Sequence, residues 1–168
     1  IAQFLAAFPA NLFFPIFVVM IVKFHLNIEI WTAPLMVLGT QWYILFNVIA
    51  GASAIPMELK LAAQNMQLKG WTKWKRFLLP AVFPYYITGA ITAAGGSWNA
   101  SIVAEVIHWG NITLQAQGLG AYITLNTIAG NFTLIALGVV VMCIWVTAVN
   151  LLFWRRLYNF AEKRYNLN

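Results

Sequence analysis

An all-α membrane protein, a polytopic helix bundle with about four spans, is what these 168 residues predict. Three observations carry that prediction. The chain is 62% hydrophobic and only 8% charged, against roughly 25% charged in soluble domains. Four stretches, 3–24, 30–54, 77–107 and 132–154, approach the roughly 20 mostly apolar residues that a crossing helix needs. Most of the ten Lys and Arg fall in two groups, Lys60 to Arg76 and Arg155 to Arg164. These groups flank apolar stretches and cover no face of a soluble fold, so the net charge of +6 points to anionic lipid or an acidic partner, not to nucleic acid.

The first stretch opens "IAQFLAAFPANLFFP". It lacks an initiator Met and a positively charged leading region, so it does not read as a signal peptide, and further sequence upstream is expected. Pro9, Pro15, Pro34, Pro80 and Pro84 would start or kink helices. A bundle tolerates this where neighbouring helices satisfy the freed carbonyls. Orientation follows from Lys and Arg in the connections, because short cytoplasmic loops hold the excess. The 55–76 connection carries Lys60, Lys69, Lys73, Lys75 and Arg76, and the 155–168 tail carries Arg155, Arg156, Lys163 and Arg164. Both are expected inside. The 25–29 link and the 108–131 connection have no Lys or Arg and are expected outside. Trp31, Trp71, Trp74, Trp98, Trp109 and Trp154 stand near span ends, as interfacial aromatics do. The lone Cys143 excludes a disulfide framework. No internal repeat divides the chain, and residues 1–168 are read as one domain.

The polar middle needs its own account. As a helix, residues 57–69 put Leu59, Ala62, Ala63 and Met66 on one side, with Glu58, Lys60, Gln64 and Gln67 elsewhere. Pro56 fits a first-turn position and Gly70 a stop. Such a helix is about 20 Å long at 1.5 Å per residue, too short and too polar to span a bilayer. It is either an interfacial helix whose lysines touch lipid phosphates or a docking helix whose adjacent alanines offer a smooth face to another protein.

The stretch "LAAQNMQLKGWTKWKRFLLP" resembles the cytoplasmic motif of the inner-membrane permeases of binding-protein-dependent ABC importers. Aligned on Leu79 and Pro80, Ala62 and Ala63 match that motif's two alanines. Trp71, Trp74 and Phe77 match positions that are often aromatic or apolar. Leu61 stands where the family has Glu, and Gln67 where it has Gly. Three further blocks, "LPAVFPYYITGAITAAGGSWNASIVAE", "GLGAYI" and "ALGVVVM…LLFWRRLY", look like the nitrate, sulfonate and taurine branch. The resemblance runs in order over about residues 9–164.

The resemblance implies the type I ABC importer transmembrane fold in a multi-pass protein of the bacterial inner membrane. It makes residues 57–70 the coupling helix, with Glu58, Leu59, Ala62, Ala63, Met66 and Gly70 as the ATPase-coupling residues. The implied partners are a cytoplasmic ABC ATPase dimer, a periplasmic or lipid-anchored substrate-binding protein, and a second permease half, either an identical copy or a fused one. ATP and Mg would be bound by the ATPase, and no cofactor is expected in this chain. No G-x-x-x-x-G-K-[ST] phosphate loop occurs in it. The chain would then be a transport subunit without its own ATPase site, moving a small solute such as an oxyanion by alternating access. A passive channel or membrane scaffold subunit is the alternative.

Polar residues inside the third stretch invite a second functional reading. With residues 88–108 on one helix, Ser97, Ser101, Glu105 and His108 fall within about 80° of each other, and Thr88, Thr92 and Asn99 lie opposite. Ser97, Asn99, Ser101 and Glu105 are candidates for a translocation path or for helix packing. An unpaired carboxylate at depth costs about 2.5–3.5 kcal/mol, so Glu105, near the outer end, is expected to reach water. Glu105 and His108 lack a third ligand for a metal. Ser97 and His108, three turns apart on one segment, do not suit a serine protease. The 155–168 tail has helical spacing and is expected along the inner membrane surface.

Overall fold

A computed structural model describes residue 6 and residues 10–165. Pro9, most of residues 3–9 and the last three residues of the tail lie outside the described residues. The chain folds as two compact units, one of residues 1–42 and 94–148, the other of residues 43–93 and 149–168. Each boundary falls inside a helix.

Helix α1 is Phe14–Lys23, preceded by a 3-10 turn at Ala10–Phe13. Pro15 stands in its first turn, where the missing N–H would have had no helical partner and the fixed φ suits the helix. Helix α2, Ile28–Ala54, starts where the Asn27 side chain accepts a hydrogen bond from the Glu29 N–H at 2.9 Å, a cap that satisfies one exposed amide. Helix α3 is the short Met57–Asn65, entered directly after Pro56. Helix α4 runs for 35 residues over Gly70–Ala104. Its one irregularity is a wide π-type turn at Trp74–Leu78. That turn immediately precedes Pro80, which has no N–H for the Arg76 carbonyl and whose ring crowds it.

Strands β1, Val106–Trp109, and β2, Ile112–Gln115, form an antiparallel hairpin in which Trp109 pairs with Ile112. Its two-residue loop has Gly110 at φ +57, the conformation that a type II′ turn demands of its first central residue. Helix α5 is Leu119–Ile128, and α6 runs for 34 residues over Phe132–Tyr165. Among the described residues three helices, α2, α4 and α6, are long and apolar enough to cross a membrane. At 1.5 Å per residue α4 and α6 reach about 50 Å, well beyond a hydrocarbon core of about 30 Å. Of the stretch predicted at 3–24, the ten-residue α1 and its preceding turn are described.

In the first unit Val18, Leu35, Ala104 and Ile107 form the buried core, with Phe14, Phe17, Met36 and Leu114 against it. Helices approach closely where a side chain would not fit. A Cβ on Gly138 would stand 2.9 Å from the side chains of Ile123 and Tyr122. In the second unit Ile55, Ala81 and Val82 are the buried core, flanked by Val48, Phe77 and Leu78. There a Cβ on Gly89 would lie 2.8 Å from the Ile44 backbone, so α2 and α4 touch nearly main chain to main chain. Small residues permit such contacts in membrane bundles.

Three helices end in the same way. After α1, α3 and α5 an N–H reaches back five residues to close the last turn: Leu26 to the Ile21 carbonyl at 2.9 Å, Leu68 to Ala63 at 3.1 Å, and Asn131 to Asn126 at 2.9 Å. The motif puts one residue in the left-handed region. That residue is His25 at φ 50, Gln67 at φ 52 and Gly130 at φ 69.

Candidate functional site

The polar middle segment consists of α3, a left-handed turn at Gln67, and the start of α4 at Gly70, itself at φ +53. The Gln67 N–H donates to the Gln64 carbonyl at 2.8 Å. A tight turn therefore stands at the position where the resembled motif has Gly, although a Cβ is present. Ala63 alone among the residues of α3 is buried, at 5% exposure. Ala62 beside it is exposed. Met57, Leu59, Leu61 and Met66 are exposed as well, Met66 at 72%. The face expected to hold Leu59, Ala62, Ala63 and Met66 is thus divided: Ala63 packs inward, and the others remain open with Leu61 beside them. Glu58 is exposed on the first turn of α3.

Charge is distributed as unequally as burial. Nine of the ten Lys and Arg lie in residues 43–93 and 149–168, Lys23 being the other. Lys73, Lys75 and Arg76 occupy the first turns of α4, where Trp71 and Trp74 are both exposed. Arg155, Arg156, Lys163 and Arg164 lie in the last eleven described residues of α6. Tyr165 packs its ring against Phe83 of α4 at 5.2 Å between centroids, and Arg164 lies over the rings of Phe160 and Tyr165. The tail thus continues α6 and is held against α4.

The polar residues of α4 do not share one helical phase, because the helix ends at Ala104 and the chain enters β1 at Val106. His108 leaves the stripe that a continuous helix would give it. Its Nδ1 instead lies 3.0 Å from the Thr113 hydroxyl across the hairpin. Gly95 and Gly96 do not break the helix. Ser97 meets the Thr40 hydroxyl of α2 at 3.2 Å, and Thr40 also donates to the Met36 carbonyl at 3.1 Å. Ser101 is buried and donates to the Trp98 carbonyl at 2.8 Å. Asn99 is exposed, as are Thr88 and Thr92, whose hydroxyls bond to carbonyls four residues back. Among the described residues no buried side-chain polar atom lacks a partner.

Glu105, expected to reach water, is half-buried and turns one carboxylate oxygen to the backbone. Its Oε2 accepts the Ala121 N–H at 2.8 Å, in the first turn of α5. It does not pair with His108 either, and among the described residues no three His, Cys, Asp or Glu side chains gather as a metal site. Glu29 makes a similar contact, its Oε1 accepting the Gln117 N–H at 2.9 Å. Neither carboxylate contact follows from local sequence, since the partners are 16 and 88 residues away. The hairpin had a local signal, the Gly110-Asn111 pair between "VIHW" and "ITLQ".

Residues 1–166 match the family described as binding-protein-dependent transport system inner membrane component. The chain is 35% identical over 69 residues to the nitrate import permease protein NrtB of Leptolyngbya laminosa, covering 41% of this chain and 25% of that protein. It is 33% identical over 82 residues to the bicarbonate transport system permease protein CmpB of Synechococcus elongatus, covering 49% of this chain and 28% of that one. The matched part is therefore 25% to 28% of these relatives' lengths.

Proposed function

The chain belongs to the inner-membrane components of binding-protein-dependent transport systems, the permeases of ABC importers, and from that premise we propose that it helps move a small oxyanion across the membrane under the drive of a partner ATPase. Relatives named for nitrate and for bicarbonate import support the substrate class. Both ions are small, planar oxyanions. The chain itself would hold no nucleotide, leaving ATP and Mg to a cytoplasmic ATPase dimer, and a substrate-binding protein would deliver the solute from outside. A second permease half would complete the enclosure of the path.

The observation that carries the coupling role is the exposed face of α3. Met57, Leu59 and Leu61 are open apolar side chains on a helix of nine residues with no buried residue but Ala63, and Met66 at its C-cap is open too. A short helix of that kind does not fold for its own packing, and an apolar face beside a basic segment suits a groove on a partner protein. Glu58, Leu59, Ala62, Met66 and Gly70 would form this contact, with buried Ala63 packed behind them. ATP binding would draw the docking helices of two halves together, and hydrolysis would reset them, favouring outward-open and inward-open states in turn. Of the polar residues, Ser97, Ser101 and Glu105 have partners within the chain, which supports packing roles for them; exposed Asn99 is the candidate left for the path.

The test is coupling, not insertion. In reconstituted importer, Leu59→Glu with Ala62→Glu, both at exposed positions, should leave membrane insertion intact while solute uptake per ATP hydrolysed falls at least tenfold. Unchanged uptake in that variant would remove the docking role.

A further inference from the structure

We propose that Glu29 and Glu105 are positioning residues that latch residues 116–121 to the ends of α2 and α4, and that the transport cycle must release this strap. The inference rests on the importer reading above for its second half only. Two of the chain's four acidic residues are used here, and both carboxylates are spent on backbone amides of one short segment: Glu29 on Gln117 at 2.9 Å and Glu105 on Ala121 at 2.8 Å. Glu105 holds the segment a second time, its own carbonyl accepting the Ala116 N–H at 2.8 Å.

The chemistry suits the site. Helix α5 has Gly118 as its N-cap and no side chain of its own capping it, so its first-turn amides need an outside acceptor. A carboxylate is the strongest ordinary one, since the bond is charge-assisted and faces the positive end of the helix dipole. The surroundings are shaped to admit it. A Cβ on Gly118 would stand 2.5 Å from the Glu105 Cδ, and one on Gly120 would stand 2.7 Å from the Ile102 N, in contact also with the Ser101 carbonyl. The strap is thus seated tightly against α4, with Ala116, Gly120 and Ala121 buried.

The two latches are unequal. Glu105 is half-buried, whereas Glu29 and Gln117 are exposed, where water competes for both partners. The Glu29 bond can break without disturbing α2, whose own cap is supplied by Asn27. A segment held by a few identifiable bonds at its two ends can detach locally while the long helices stay folded. Under the importer reading this segment lies on the outer side, where solute enters, and the exposed Glu29 bond is the one that would part as the helices there move.

Amide exchange in the purified chain tests the latch without any transport. Glu105→Ala should lower protection of residues 116–121 at least tenfold, and Glu29→Ala two- to fivefold at 117. Glu105→Gln, which still offers an acceptor oxygen, should recover part of the loss. Exchange in the interior of α6 serves as the folding control. Protection of the strap unchanged in both alanine variants overturns the latch. For the second half, Glu29→Cys with Gln117→Cys in a Cys143→Ser background is bridged with a short, reducible bis-thiosulfonate reagent. Uptake should fall at least tenfold and return on reduction. Full uptake by the bridged protein overturns the release step while leaving the latch standing.

Discussion

Replacing Gln67 by glycine should strengthen the turn that closes α3, and the size of the effect can be worked out from its backbone. Gln67 sits at φ 52 while making two-sided use of the turn: its own N–H bonds to Gln64 at 2.8 Å, and the next N–H, of Leu68, bonds to Ala63 at 3.1 Å. Both bonds are main chain and survive the substitution. The Gln67 side chain is exposed, so little packing is lost. A side chain in the left-handed region costs about 1–2 kcal/mol. Glycine removes that cost but has more freedom to lose from the unfolded turn, roughly 0.5–1 kcal/mol. The net gain is about 0.5–1 kcal/mol, which corresponds to a two- to fivefold slower opening of the turn at an RT of about 0.59 kcal/mol. Hydrogen exchange at the Leu68 amide, corrected for intrinsic rates, reads it directly. Gln67→Ala keeps the Cβ and should give no gain. Equal protection in wild type and Gln67→Gly, or a gain in Gln67→Ala as large as in Gln67→Gly, would refute the reasoning.

Gly120→Ala should destabilise the first unit by about 1–3 kcal/mol, the usual range for overpacking, because its Cβ would press on the Ser101 and Ile102 backbone; thermal unfolding in detergent checks this. Gly70→Ala should cost about 1 kcal/mol locally, since Gly70 lies at φ +53 with nothing within 4 Å of a Cβ, and faster exchange at the start of α4 would show it. A double-mutant cycle of Thr40→Val with Ser97→Ala should give a coupling of about 0.6 kcal/mol, the average for such interhelical bonds in membranes, measured by unfolding of the four proteins.

Composition and span length made the helical membrane class legible, because the bilayer imposes its length requirement on the sequence directly. At Gly130, after α5, residue type and left-handed backbone conformation agree. His25 and Gln67 were not legible as left-handed residues, since propensity there favours Gly or Asn and the closing bonds are main chain. The stripe expected to run on to His108 loses its helical phase after Ala104. Val106 and Ile107 continue an apolar run equally well as helix or as strand, and it is pairing with β2 that makes them strand. The seats of Glu29 and Glu105 depend on tertiary contacts that no local pattern encodes.

The central claim is that α3 projects into the cytosol, and accessibility of one position tests it most directly. Gln64 is exposed near the end of α3. A cysteine placed there by Gln64→Cys, in a Cys143→Ser background, should react with a membrane-impermeant maleimide in inverted vesicles and stay unreacted in intact spheroplasts. Labelling in intact spheroplasts, from the outer side, would contradict the account.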